Sequence, residues 1–294
     1  MTFARPVHIS GLDTLPRLPA WVTSTRSESI EDVAFLSGAA LNHLHVALGH
    51  EEVPHALLRD RLALHAAEAC VGFSGRPEGG AELRDAAHFL RPGDLPGPAG
   101  EAYLSWRRAV ERPMSIKALH RAMPTLELGQ IGTWLNAGQD APVTRAALVL
   151  EAVQTAAPRA DVAALILADV ALAQALGWDH LVPLLAMGLK RAVLRKSGDE
   201  LRLACHRAVI ASVVVSARLT ADLTRRAEQM KVVAPKLRAK GAGKAVEMFL
   251  TRDAVAAAEL PLPPRAARRL CDRLVDLGVV RELTGRDTFR LYGV

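Results

Sequence analysis

The chain has 294 residues, half of them hydrophobic but only 4% aromatic, with 37 Lys+Arg against 31 Asp+Glu. That length holds two domains and a sizeable core, and the aromatic-poor composition argues against a β-sandwich or barrel. Three cysteines, Cys70, Cys205 and Cys271, lie too far apart for zinc-ligand spacing, which points to a reduced, intracellular setting without structural zinc.

Residues 1–28 read as an extended lead-in with Pro6, Pro16 and Pro19 and no apolar core of signal-peptide length. From residue 29 one helical pattern follows another. Ser29 and Asp32 have capping-box spacing and open a helix to about Leu48. A second helix is predicted over 53–73, a turn at Ser74–Gly80, a short helix over 81–90, and a Pro/Gly-rich loop before Pro98. Further helices fall near 98–112, 115–122, 125–137, 143–156, 160–176 and 179–195, and a long one covers 199–230. The fold expected for 29–230 is an all-helical bundle of roughly ten helices. No run of about 18 apolar residues is evident, so no membrane span and a cytoplasmic location are expected. The apolar stripe along 201–215 suits either a core helix or a homodimer seam.

A basic linker is expected over 231–243, and a small domain over 244–294. "KLRAKGAGKA" fails as a phosphate loop, because Arg238 stands where the first glycine belongs and Ala245 where Ser or Thr belongs. The small domain reads as a short amphipathic helix at 244–250, an Ala-rich helix at 253–260, and a "PLPP" turn. A helix at 264–277 and a hairpin around "TGRD" follow. At 100° per residue, Ala267, Leu270, Cys271, Leu274 and Leu277 share one face of the 264–277 helix. Arg265, Arg268, Arg269, Asp272, Arg273 and Asp276 share the other. Gly278 is placed to end the helix. Three helices and a two-stranded wing describe a winged helix-turn-helix, in which the third helix enters the major groove of DNA. The fold class expected for the whole chain is therefore mainly α, a multi-helix body followed by a small winged helix.

Charge supports a polyanion partner for this part alone. Residues 225–294 hold 15 basic and 8 acidic side chains, whereas residues 1–224 hold 22 and 23. The residues expected to contact DNA are Arg265, Arg268, Arg269 and Arg273 on the helix, Arg286 at the wing tip, and Lys240 and Lys244 before it.

"FLRPGDLPGPAG", "WRRA", "KLRAKGAGKA" and the tail from Arg265 onward resemble the proteobacterial family catalogued as domain of unknown function 1403. The resemblance spans nearly the whole chain and implies the two-part architecture, but no reaction. The tail also resembles those of some Fic-type proteins. Their His-Pro-Phe loop is absent here, so AMP transfer is not carried over.

Chemistry in the helical part rests on one weak constellation. His65 and Glu68 share a helical face, as do Asp85 and His88 on the next helix. Packed antiparallel, the two pairs would mirror each other around a metal. A structural polar cluster of Arg61, Glu68 and Asp85 competes with that reading. No nucleophile motif is present, and neighbouring Cys205 and His206 point about 100° apart on a helix. No catalytic residue and no cofactor is expected. The function expected is DNA binding in transcriptional regulation, or else protein docking by an adaptor. Double-stranded DNA, a second copy and a protein partner are the partners that suit these readings.

Overall fold

A computed structural model describes residues 17–24, 29–76, 78–91, 93–286 and 288–294. Most of the lead-in 1–28 lies outside these residues. The part that is described carries a one-and-a-half-turn helix, α1 (Ala20–Ser24), instead of extended chain. Trp21 stacks on Phe35 there, ring centroids 5.8 Å apart.

The body is helical, as expected. It comprises α2 (Ile30–Leu48), α3 (His55–Phe73), α4 (Gly80–His88), α5 (Gly97–Glu111), α6 (Ile116–Ala122) and α7 (Leu128–Leu135). It continues with α8 (Pro142–Ala156), α9 (Asp161–Ala175), α10 (Leu184–Gly188) and α11 (Gly198–Val233). The cap predicted at Ser29 is present: its hydroxyl accepts the Asp32 N–H at 3.1 Å. The helix expected over 179–195 is broken. Pro183 precedes the five-residue α10, and residues Arg191–Arg195 form a separate 3-10 turn. Proline at that point removes a backbone donor, which limits how far a helix can run through it.

The core runs between α2, α3, α5, α8, α9 and α11. Trp106 and Tyr103 of α5 are fully buried, as are Leu57, Leu58 and Leu62 of α3 and Leu165 to Leu172 of α9. Polar links tie its helices where apolar contact alone would leave groups unpaired. Asp169 of α9 accepts the N–H groups of Leu185 at 2.8 Å and Ala186 at 3.2 Å, fixing the start of α10. Ser212 of α11 donates to the Leu184 carbonyl at 2.6 Å.

α11 also corrects the reading of apolar runs. By length and composition it is apolar enough to cross a membrane, with mean hydropathy 1.3 and 44% of that window buried in the fold. Arg207 and Arg218 interrupt the run and hid it. Leu201, Cys205, Ala208, Val209 and Val213 of α11 are buried against neighbouring helices, whereas Ala211 and Val215 of the expected stripe are exposed.

The C-terminal part contains α12 (Ala242–Thr251), β1 (Val255–Ala256), α13 (Pro264–Asp276), β2 (Arg281–Glu282) and β3 (Leu291–Gly293). The strands make a small antiparallel sheet in the order β1-β3-β2. Two expectations change here. The Ala-rich stretch is a strand followed by a 3-10 turn at Ala257–Glu259, not a helix. β1 pairs with β3, Val255 opposite Tyr292. Much of the segment read as a linker is helical too: α11 reaches Val233, a 3-10 turn spans Ala234–Lys236, and α12 begins at Ala242.

Candidate nucleic-acid interface

α13 begins with Pro264 in its first turn, where the missing N–H costs no helical hydrogen bond. Its buried face is Ala267, Leu270, Cys271 and Leu274. Leu277, read onto the same face, is the C-cap residue and is 48% exposed. Gly278 ends the helix at φ 70°, a conformation glycine adopts without the Cβ penalty. Its N–H bonds the Val275 carbonyl at 2.8 Å and the Val279 N–H reaches Leu274 at 3.1 Å, closing the helix end and turning the chain into β2.

Arg265, Arg268, Arg269 and Arg273 are exposed on the opposite face, and among the described residues none forms an ion pair. Asp272 and Asp276 stand on that face as well. Lys240 and Lys244 are exposed, Lys244 in the first turn of α12.

The turn after β2 is built by Glu282. Its carboxylate accepts the N–H of Thr284 at 2.9 Å and of Gly285 at 2.8 Å, and the Thr284 hydroxyl. The Leu283 N–H bonds the Leu291 carbonyl at 2.8 Å. Phe289 does not join the ladder. It is 71% exposed, at φ 56°, and meets the ring of Phe89 edge-on at 5.7 Å. Asp287 lies outside the described residues. Arg286, expected to contact DNA from the tip, pairs with Asp85 of α4. The segment joining β2 to β3 therefore rests on the helical body.

Between α12 and β1, a buried charge network fastens the two parts together. Asp253 follows α12 and is fully buried. Its carboxylate receives Arg61 of α3 and a two-pronged contact from Arg84 of α4, at 2.6 Å and 3.2 Å. The Asp253 N–H donates to Asp60 at 2.9 Å, and Arg107 of α5 donates to the other oxygen of Asp60 at 3.1 Å. Arg61 also reaches the Val294 carbonyl at 3.3 Å. Burial alone would raise the Asp253 carboxyl. The Arg84 hydrogen bond and the charges of Arg61 and Arg84 outweigh it and hold the group below the usual carboxylate range.

A family model described as a protein of unknown function, DUF1403, matches residues 6–294. The chain belongs to the DUF1403 family. No curated protein matches it. The model spans both the helical body and the basic C-terminal part, so the junction at Asp253 lies within the region common to the DUF1403 family.

The proposed quartet of this DUF1403 protein does not converge. His65 pairs with Glu68 of its own helix at 3.3 Å, His88 with Glu259 at 3.2 Å, and Asp85 with Arg286. Among the described residues no cluster of three His, Cys, Asp or Glu is placed to hold a metal ion. The competing cluster of Arg61, Glu68 and Asp85 is also redistributed, since each of the three takes another partner. Glu68 turns to His65 of its own helix, whereas the partners of Arg61 and Asp85, Asp253 and Arg286, come from the C-terminal part, a separation no local pattern reveals.

All three thiols are buried, and burial pushes each up to about 12, which leaves them protonated and unreactive. His206, considered beside Cys205, instead meets Ser37 of α2 at 2.6 Å. The Ser37 hydroxyl also bonds the Ala34 carbonyl of its own helix at 2.9 Å, and both side chains are buried. That pair joins α2 to α11.

Proposed function

We propose that residues 242–294 form a winged helix-turn-helix that binds double-stranded DNA through α13. The order helix, strand, 3-10 turn, helix, strand, strand supports this reading, as does a sheet in which the last strand lies between the other two. The observation that carries it is the outer face of α13, where Arg265, Arg268, Arg269 and Arg273 are exposed and unpaired among the described residues. Guanidinium groups at the first turns of such a helix grip phosphate or the guanine edge. Lys240 and Lys244 add phosphate contacts from the same end. Arg286 joins them only when its pair with Asp85 opens.

Fluorescence anisotropy on labelled duplex DNA at low salt tests the reading. The wild-type chain binds, and a variant with Arg265, Arg268, Arg269 and Arg273 changed to Ala loses binding while keeping its melting transition. Equal binding by both proteins rules out α13 as the contact surface.

Asp272 and Asp276 favour a second reading, in which the same face docks a protein. No DNA binding at about 50 mM salt, together with a partner whose capture depends on Arg268 and Asp272, supports that adaptor role instead.

A further inference from the structure

A cavity of about 350 Å³ lies between the end of α2, the start of α3 and the chain joining α9 to α10. Its chemistry centres on Arg59 of α3. The Arg59 Nε is shut off from solvent and has no hydrogen-bond partner, and among the described residues the side chain forms no ion pair. A half-buried cation without a counter-ion is costly to hold. His55 and His180 stand beside it. Burial first, and then the Arg59 charge, keep both imidazoles below their ordinary value, so both are neutral near pH 7; the His55 ring is bonded to the His50 backbone, and the His180 ring keeps an N–H to offer. Asp179 stands at the rim, exposed, with no ion pair among the described residues.

The remaining walls are apolar. Leu58 and Leu62 line one side, and the Trp178 ring lines another. That ring is held in place: its Nε1–H donates to the His45 Nδ1 at 2.8 Å and the two rings stack, centroids 6.4 Å apart. Small-molecule sites begin at about 300 Å³ and combine apolar walls with a few converging polar groups.

We propose that this cavity binds a small organic anion, a carboxylate on a compact apolar or aromatic body. The carboxylate pairs with Arg59 and accepts from His180, and the body lies against Trp178 and the leucines. Inorganic phosphate would satisfy Arg59 but leave the apolar walls wet. The proposal is independent of the DNA reading, since it concerns binding to the body alone.

Calorimetric titration of the full chain tests it, with benzoate as probe, benzamide as its neutral isostere and inorganic phosphate as the bare anion. Benzoate is expected to saturate one site, with benzamide and phosphate each at least about tenfold weaker. Arg59→Gln should weaken benzoate by about tenfold or more, and Arg59→Lys by less. If Arg59→Gln does not fold, the benzoate and benzamide comparison on the wild-type chain decides. The proposal is overturned by no saturable benzoate binding, by benzamide or phosphate binding as tightly, or by a folded Arg59→Gln that binds benzoate unchanged.

Discussion

Asp253 and Asp169 are both fully buried carboxylates, and their surroundings treat them oppositely. Asp253 has two arginines, so its folded-state carboxyl sits below its unfolded value. The stability it supplies is present above about pH 4 and is lost as pH falls through the lowered value. Asp253→Ala leaves Arg61 and Arg84 without a counter-charge, and the expected cost is about 3–5 kcal/mol in urea unfolding. A cost near zero would show that the network does not fasten the two parts. Asp169 meets only backbone N–H groups. Burial, partly offset by the N–H groups of Leu185 and Ala186, pushes its carboxyl up to about 8. The folded chain then binds a proton that the unfolded chain has released. Stability from this group is full below about pH 4 and declines as pH rises through about 8. Urea midpoints at pH 5, 7 and 9 should fall more steeply for the wild-type chain than for Asp169→Asn; parallel curves would contradict the assignment.

Among the elements, α10 packs closely on α11. A Cβ added to Gly188 would lie 2.7 Å from both the Ala208 Cα and the Ser212 Oγ of α11. Neither backbone can yield cheaply, so Gly188→Ala should cost about 1–3 kcal/mol by thermal or urea unfolding. A neutral effect would mean that α10 sits further from α11 than described. Elements with local signals were legible in the sequence. Ser29 announced α2, and Pro264, the 3.6-residue stripe and Gly278 together announced α13. Elements decided by tertiary pairing were not. The alanines of 254–258 favour helix intrinsically, yet Val255 and Ala256 are drawn into a sheet by β3, and Asp253 beside them is drawn inward by two arginines. The α10 region differs: an apolar run around Pro183 and Gly188 carries a helical pattern across positions that break the helix.

At the scale of the whole molecule, the same contrast governs the candidate site. The arginine face of α13 was readable, because helix periodicity alone separates it from the buried stripe. The seat of the segment joining β2 to β3 was not, because Arg286 finds Asp85 across about 200 residues of chain and Phe289 finds Phe89. The C-terminal part shares a continuous core with the body, with Phe249 and Val246 of α12 packed into the same cluster as α3 and α5. The arginines are thus presented on a fixed frame, facing outward. The most direct test of their role is the salt dependence of DNA affinity, measured for the wild-type chain and for Arg268→Ala with Arg269→Ala. A contact to phosphate releases a counter-ion, so each one removed lowers the slope of log K against log salt by about 0.9. DNA binding through α13 gives a steep slope for the wild-type chain and one shallower by about 1 to 2 for the double variant. A wild-type affinity that ignores salt, or a slope that the double variant leaves unchanged, would contradict it.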